Sequence, residues 1–193
     1  MLNMAVLLSG SGRTLDNFHE QSRAGRMAGK IQVVISNISS ALGLKKAQNY
    51  GYPAFHASDS PATNAILKDF DIDIICLAGY LKLYDPPLAL TRSVINIHPS
   101  LIPAFCGDGF YGSRVHRAVK ERGCTVTGCT VHFADEFYDQ GPIILQKSVN
   151  LGYEDSVDEI AAKVFAAECE AFPEAINRVD EKGIDFFWRR VQR

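Results

Sequence analysis

Two side chains with complementary chemistry stand two positions apart, Asn96 and His98, within Val94-Ile95-Asn96-Ile97-His98-Pro99-Ser100. On an extended backbone alternate residues leave the same face, so this amide and this imidazole would project together. Pro99 has no backbone donor and biases the residue before it toward the extended region. A strand is therefore predicted to close just past His98. A neutral amide donates a hydrogen bond to an oxyanion, and an imidazole takes and returns a proton near neutral pH. A nearby carboxylate would fix the ring's tautomer and stabilise its charged form. Asp135, Glu136 and Asp139 are the candidates, with Asp139 best placed just ahead of the Gln140-Gly141-Pro142 turn. Amide, imidazole and acid together suit acyl or formyl transfer.

The turn Ser9-Gly10-Ser11-Gly12-Arg13-Thr14 follows an apolar run at 4–8 and opens an amphipathic stretch at 15–23. Strand, glycine turn and helix start make a cradle of backbone N–H groups for an anion. Leu15 stands where the dinucleotide fingerprint needs its third glycine, no acid follows the run at 31–35, and the Gly-Lys-Ser/Thr of a P-loop is absent. A small phosphate monoester fits better than NAD or ATP. Other chemistries find less support. Ser11 lacks the setting of a nucleophile elbow, and His19-Glu20 lacks the second histidine of a zinc-binding helix. His116 and His132 have no metal-ligand spacing with cysteine, so no metal is expected. His132, on an alternating strand, reads as structural.

The elements that must position these residues alternate. Apolar runs at 4–8, 31–35, 53–56 and 72–78 predict strands, with helices at 15–23, 42–49 and 61–70 between them. That pattern means a parallel sheet covered by helices on both faces, which binds ligands beyond the carboxyl ends of its strands. Pro86-Pro87 predicts a short helix reaching residue 92, and the glycine-rich segment 105–112 a loop before a helix at 115–121. The runs 125–133 and 142–149 read as an antiparallel strand pair. Ser156 and Glu159 form a capping box for a last long helix, with Ile160, Ala161, Val164, Phe165 and Phe172 as its apolar stripe. Glu168 falls on that stripe, and an inward carboxylate needs a partner or a ligand.

At 193 residues the chain is long enough for one buried core, and a single domain over 1–193 is expected. A net charge of -2 argues against nucleic-acid binding by bulk charge, although Arg189, Arg190 and Arg193 leave a local basic patch open. No apolar run reaches the length of a membrane span, so no membrane partner is expected. Five cysteines without a C-x-x-C pair point to reduced thiols and a cytoplasmic location.

These signatures resemble the folate-dependent glycinamide ribonucleotide formyltransferases. Leu8-Ser9-Gly10-Ser11-Gly12, Leu77-Ala78-Gly79-Tyr80, Asn96-Ile97-His98-Pro99-Ser100-Leu101, Val131-His132-Phe133 and Asp139-Gln140-Gly141-Pro142-Ile143, with Glu168, stand in that family's order. The resemblance implies a Rossmann-like α/β sheet and a catalytic triad of Asn96, His98 and Asp139, with Asn96 and protonated His98 stabilising an oxyanion. It implies that Gly12, Arg13 and Thr14 bind the phosphate of glycinamide ribonucleotide. Gly79 and Pro99 would line its path, and Glu168 would meet its ribose hydroxyls. The donor, 10-formyltetrahydrofolate, would lie against Leu81, Lys82, Leu83 and Val94, its pterin near Glu136 and Tyr138. Arg13-Thr14 departs from the Ser-Asn of the best-known members, and Lys82 stands where arginine is frequent. A hydrolase of the same donor, or a formyltransferase for another amine, is the alternative; such hydrolases usually carry a second histidine at the place of Pro99. Monomer and homodimer both stay open.

Overall fold

The computed structural model describes residues 1–191; Arg193 of the basic C-terminal group lies outside them. The strands are β1 (Leu2–Leu8), β2 (Gly29–Ser36), β3 (Ala54–His56), β4 (Ile74–Leu77), β5 (Val94–His98), β6 (Val126–Phe133) and β7 (Ile143–Asn150). The helices are α1 (Arg13–Arg23), α2 (Leu42–Asn49), α3 (Ser60–Leu67), α4 (Ser113–Glu121), α5 (Val157–Lys182) and α6 (Ile184–Trp188). The strands form one sheet in the order β3-β2-β1-β4-β5-β6-β7. The first five pair in parallel, and β6 runs antiparallel to both β5 and β7. The expected α/β architecture with its antiparallel C-terminal strands is the one observed.

In β1, Met4, Val6 and Leu8 pack into one core, and Ala5 and Leu7 into the other. A strand buried on both faces has no solvent side, which is why this run is apolar without alternation. The two faces are covered unequally. α1, α2, α4, α5 and α6 supply the larger core, while α3 and the segment around Tyr84 cover the opposite face. Phe18 of α1 meets Phe172 of α5 edge-on with 4.8 Å between ring centres. Each such ring contributes roughly 1.5–3 kcal/mol through burial alone.

The capping box at the start of α5 is formed: Ser156 N–H donates to Glu159 Oε2 at 2.7 Å, and Glu159 N–H to Ser156 Oγ at 3.2 Å. The helix then runs through Pro173, ten residues past the end of the predicted stripe. Proline there cannot donate to the carbonyl four residues back, which is that of Cys169. Asn17 of α1 supplies the missing donor, its Nδ2 lying 2.8 Å from Cys169 O. One amide thus repairs α5 and ties it to α1, beside Glu168. Two expectations are corrected. The helix predicted to reach residue 92 is a single 3-10 turn, Leu88–Leu90, because β5 already begins at Val94. The short α6, set off from α5 by Gly183 at φ 77°, was not foreseen.

Candidate active site

The strand order reverses at β1, with β2 and β3 on one side and β4 onward on the other. Sheets of this kind bind ligands in the crevice at the carboxyl ends of such strands. The loops leaving β1 and β4 are tied together there. Ser9 N–H donates to Gly79 O at 3.1 Å, and Leu81 N–H to Ser9 Oγ at 2.9 Å. The Ser9 hydroxyl in turn donates to Asn37 Oδ1 at 2.6 Å. A cavity of about 480 Å³ opens beside them. Asn96, His98, Pro99, Asp139, Gly79, Thr14 and Glu168 all line it, as do Leu81, Lys82 and Tyr138.

Asn96 and His98 project to this cavity from the end of β5, as their spacing predicts. His98 is buried, with Nδ1 3.4 Å from Asp139 Oδ2 and Nε2 donating to Phe105 O at 2.9 Å. Asp139 sits in the left-handed region at φ 57°, which an aspartate tolerates better than most residues. Its Oδ2 also accepts from Gly107 N–H at 2.9 Å. Burial alone would raise the Asp139 carboxyl. Contacts with His132 and His98 and the Gly107 N–H outweigh it, so the group is held below the usual range and ionised. Burial lowers His98, against the opposing pull of Asp139 and the Phe105 carbonyl. The resting imidazole is therefore favoured in its neutral form.

His132, expected to be structural, is built into the wall behind the cluster. It is fully enclosed on β6, directly across from Asn96 in the antiparallel register. Its Nδ1 donates to Phe133 O at 2.8 Å, which leaves Nε2 to accept from Asn96 Nδ2 at 3.2 Å. The same Nε2 lies 3.5 Å from Asp139 Oδ1. His132 thus orients Asn96 and borders Asp139. His116 of α4 is buried as well, its Nδ1 without a partner among the described residues; burial and His98 hold it neutral.

Of the glycine turn, only Thr14 lines the cavity. Gly12, at φ 73°, caps α1, and a Cβ on it would stand 2.8 Å from Gly43 Cα, so packing alone demands glycine. The Arg13 guanidinium stacks on the Phe165 ring, 3.6 Å from its centre. Burial pushes Glu168 up to about 7, partly offset by Arg13.

A family model described as formyl transferase matches residues 2–176. The chain belongs to the formyl transferase family. It is 38% identical to a chloroplastic phosphoribosylglycinamide formyltransferase of Vigna unguiculata, over 97% of this chain and 63% of that one. It is 37% identical to the human trifunctional purine biosynthetic protein adenosine-3, over 91% of this chain and 18% of that one. It thus spans just under two thirds of the first and less than a fifth of the second. It covers 84% of the Haemophilus influenzae phosphoribosylglycinamide formyltransferase at 34% identity. A glycinamide ribonucleotide transformylase from Symbiobacterium toebii superposes with a TM-score of 0.85 at 37% identity, over 95% of this chain and 89% of that one.

In this formyl transferase chain the residues expected to hold the donor divide between two cavities. Leu81, Lys82 and Tyr138 line the first, and Leu83, Val94 and Glu136 line a second of about 590 Å³. Lys82 Nζ donates to Ser58 O at 2.9 Å, so its ammonium is anchored on the protein. The sequence reading missed the Phe105 carbonyl and Gly107 N–H that engage the triad. It also missed Arg114, which lines the first cavity with its guanidinium over Tyr111 at 4.6 Å. Among the described residues no group of three or more His, Cys, Asp or Glu could hold a metal ion, and no helix is long and apolar enough to cross a membrane.

Proposed function

We propose that this chain, acting as one domain, transfers the formyl group of 10-formyltetrahydrofolate to the amine of glycinamide ribonucleotide in de novo purine biosynthesis. The observation that carries the reading is the Asn96–His98–Asp139 cluster on the first cavity, with a further carboxylate, Glu168, in the same lining. The relatives' names supply the acceptor and the pathway.

In this mechanism the acceptor's phosphate end lies toward Thr14 and the start of α1, where backbone N–H groups and Arg13 favour an anion. Glu168 accepts from the ribose hydroxyls. The neutral amine attacks the formyl carbon, and charge gathers on the formyl oxygen. Asn96 has one amide hydrogen left after its bond to His132, and that hydrogen stabilises the oxyanion. His98 takes the proton released by the attacking nitrogen, and Asp139 stabilises the imidazolium. The same proton then goes to the departing folate nitrogen. A group approaching His98 Nε2 displaces the Phe105 carbonyl, which lets the ring carry its proton on Nδ1 toward Asp139 and leaves Nε2 free to accept, so the 105–112 loop adjusts as substrate enters.

Glycinamide ribonucleotide and the folate donor are the proposed partners. A cytoplasmic location belongs to the same proposal, supported by cysteines that are all unpaired. The test follows donor loss by absorbance with and without glycinamide ribonucleotide. Loss only in its presence establishes transfer to that amine. Equal loss without it makes water the acceptor and overturns the proposal.

A further inference from the structure

We propose that Trp188 is a positioning residue for the formyl donor, the wall against which the donor's flat pteridine ring stacks; this rests on the functional reading above. The second cavity is continuous in chain terms with the first. Leu81 and Lys82 lead to Leu83, Asn96 leads to Val94 along β5, and Tyr138 leads back to Glu136. A ligand whose reacting nitrogen meets Asn96 and His98, and which follows these three segments, ends in the second cavity. Trp188 of α6 lines it. This residue lies beyond the stretch 2–176 that the family model matches, so the wall comes from a part of the chain outside that match.

The indole is fixed before any ligand arrives. Its Nε1–H donates to Arg92 O at 3.0 Å, and its ring packs against Phe133 with 5.8 Å between centres. The Arg92 guanidinium lies 5.1 Å from the ring centre and pairs with Asp185 Oδ1 of the same helix at 2.9 Å. Neighbouring Phe187 is buried and meets Phe133 at 5.9 Å. A side chain held this way loses little freedom on binding. With its N–H already bonded, the indole lines the cavity as an aromatic wall shared with Arg92, whose guanidinium lies over the ring, and aromatic surfaces favour offset stacking with a flat ring.

Trp188 is the only tryptophan, so its emission reports on this wall alone. The intact chain is titrated with 10-formyltetrahydrofolate and no acceptor, with free N-acetyltryptophanamide as the control for absorbed light. Saturable loss of emission is expected, and glycinamide ribonucleotide alone should leave emission unchanged. Trp188→Ala should raise the donor KM about tenfold while moving acceptor KM and kcat less than about threefold, and Trp188→Phe should recover most of the loss. Normal donor turnover with no saturable emission change would overturn the wall and leave the transferase reading standing. So would an unchanged donor KM in either variant. Saturable quenching without transfer to any amine would support the wall and overturn the transferase reading. Should Trp188→Ala not fold, the wild-type titration and Trp188→Phe decide.

Discussion

The carboxylate of Asp139 reaches two imidazoles at once, with Oδ2 3.4 Å from His98 Nδ1 and Oδ1 3.5 Å from His132 Nε2. His98 already donates from Nε2 to the Phe105 carbonyl, so only its doubly protonated form satisfies both acceptors. Burial opposes that form at rest, and the reaction supplies it. Asp139→Asn keeps an oxygen for the Gly107 N–H and a side chain suited to φ 57° but removes the charge. Turnover should fall by about a hundredfold or more with the fold intact. Near-normal turnover of a folded variant would take Asp139 out of the reaction.

His132→Phe removes the ring whose Nε2 lies 3.5 Å from Asp139 Oδ1, a contact that lowers the Asp139 carboxyl when that nitrogen carries a proton. A carboxylate with a depressed pKa stays ionised above that value and loses its charge as pH falls through it. Without His132 the Asp139 pKa rises, so protonation sets in at higher pH. The acid limb of the kcat profile should move toward neutrality, and turnover at its plateau should fall because Asn96 also loses its anchor. A variant with an unchanged acid limb would show that His132 does not act through Asp139. The limb belongs to the coupled group, not to one residue.

Asn17→Ala should destabilise the chain by roughly 1–3 kcal/mol, because Cys169 O is left without the donor that Pro173 cannot provide. Chemical denaturation of variant and wild type measures this directly. The acceptor KM should rise as well, since the lost tie is beside Glu168. An unchanged midpoint would mean that another group takes the carbonyl.

What was legible in the sequence follows from range. Strands buried on both faces announce themselves as apolar runs, and 42–49 forms a helix over the predicted span. Asn96 and His98 share a face because a strand's period is fixed. Glu168 stood out as a carboxylate on an apolar stripe. His132 could not be placed from its own neighbourhood. Its part depends on the β5–β6 register, which sets it opposite Asn96. The extension of α5 past Pro173 needed a donor 152 positions away in the chain. Trp188 reaches the second cavity only because α6 folds back onto Arg92 and Phe133, and no local pattern encodes that contact.

Glu168 gives a pH test that does not depend on catalysis. Burial raises its carboxyl to about 7, well above the 4.5 of an unburied glutamate. Below about pH 4.5 it is protonated in both folded and unfolded chains. As pH rises from there, the unfolded chain ionises first, and the folded state loses stability until pH passes about 7. Glu168→Gln is fixed near the protonated form and escapes this loss. The variant should match wild type near pH 4.5 and exceed it by roughly 1–3 kcal/mol above pH 7, read by denaturant titration across that range. The gain should come with a weaker acceptor, because a neutral amide accepts less well than a carboxylate from the ribose hydroxyls. Equal stabilities at every pH would mean that Glu168 is ionised in the folded chain, with Arg13 fully compensating its burial.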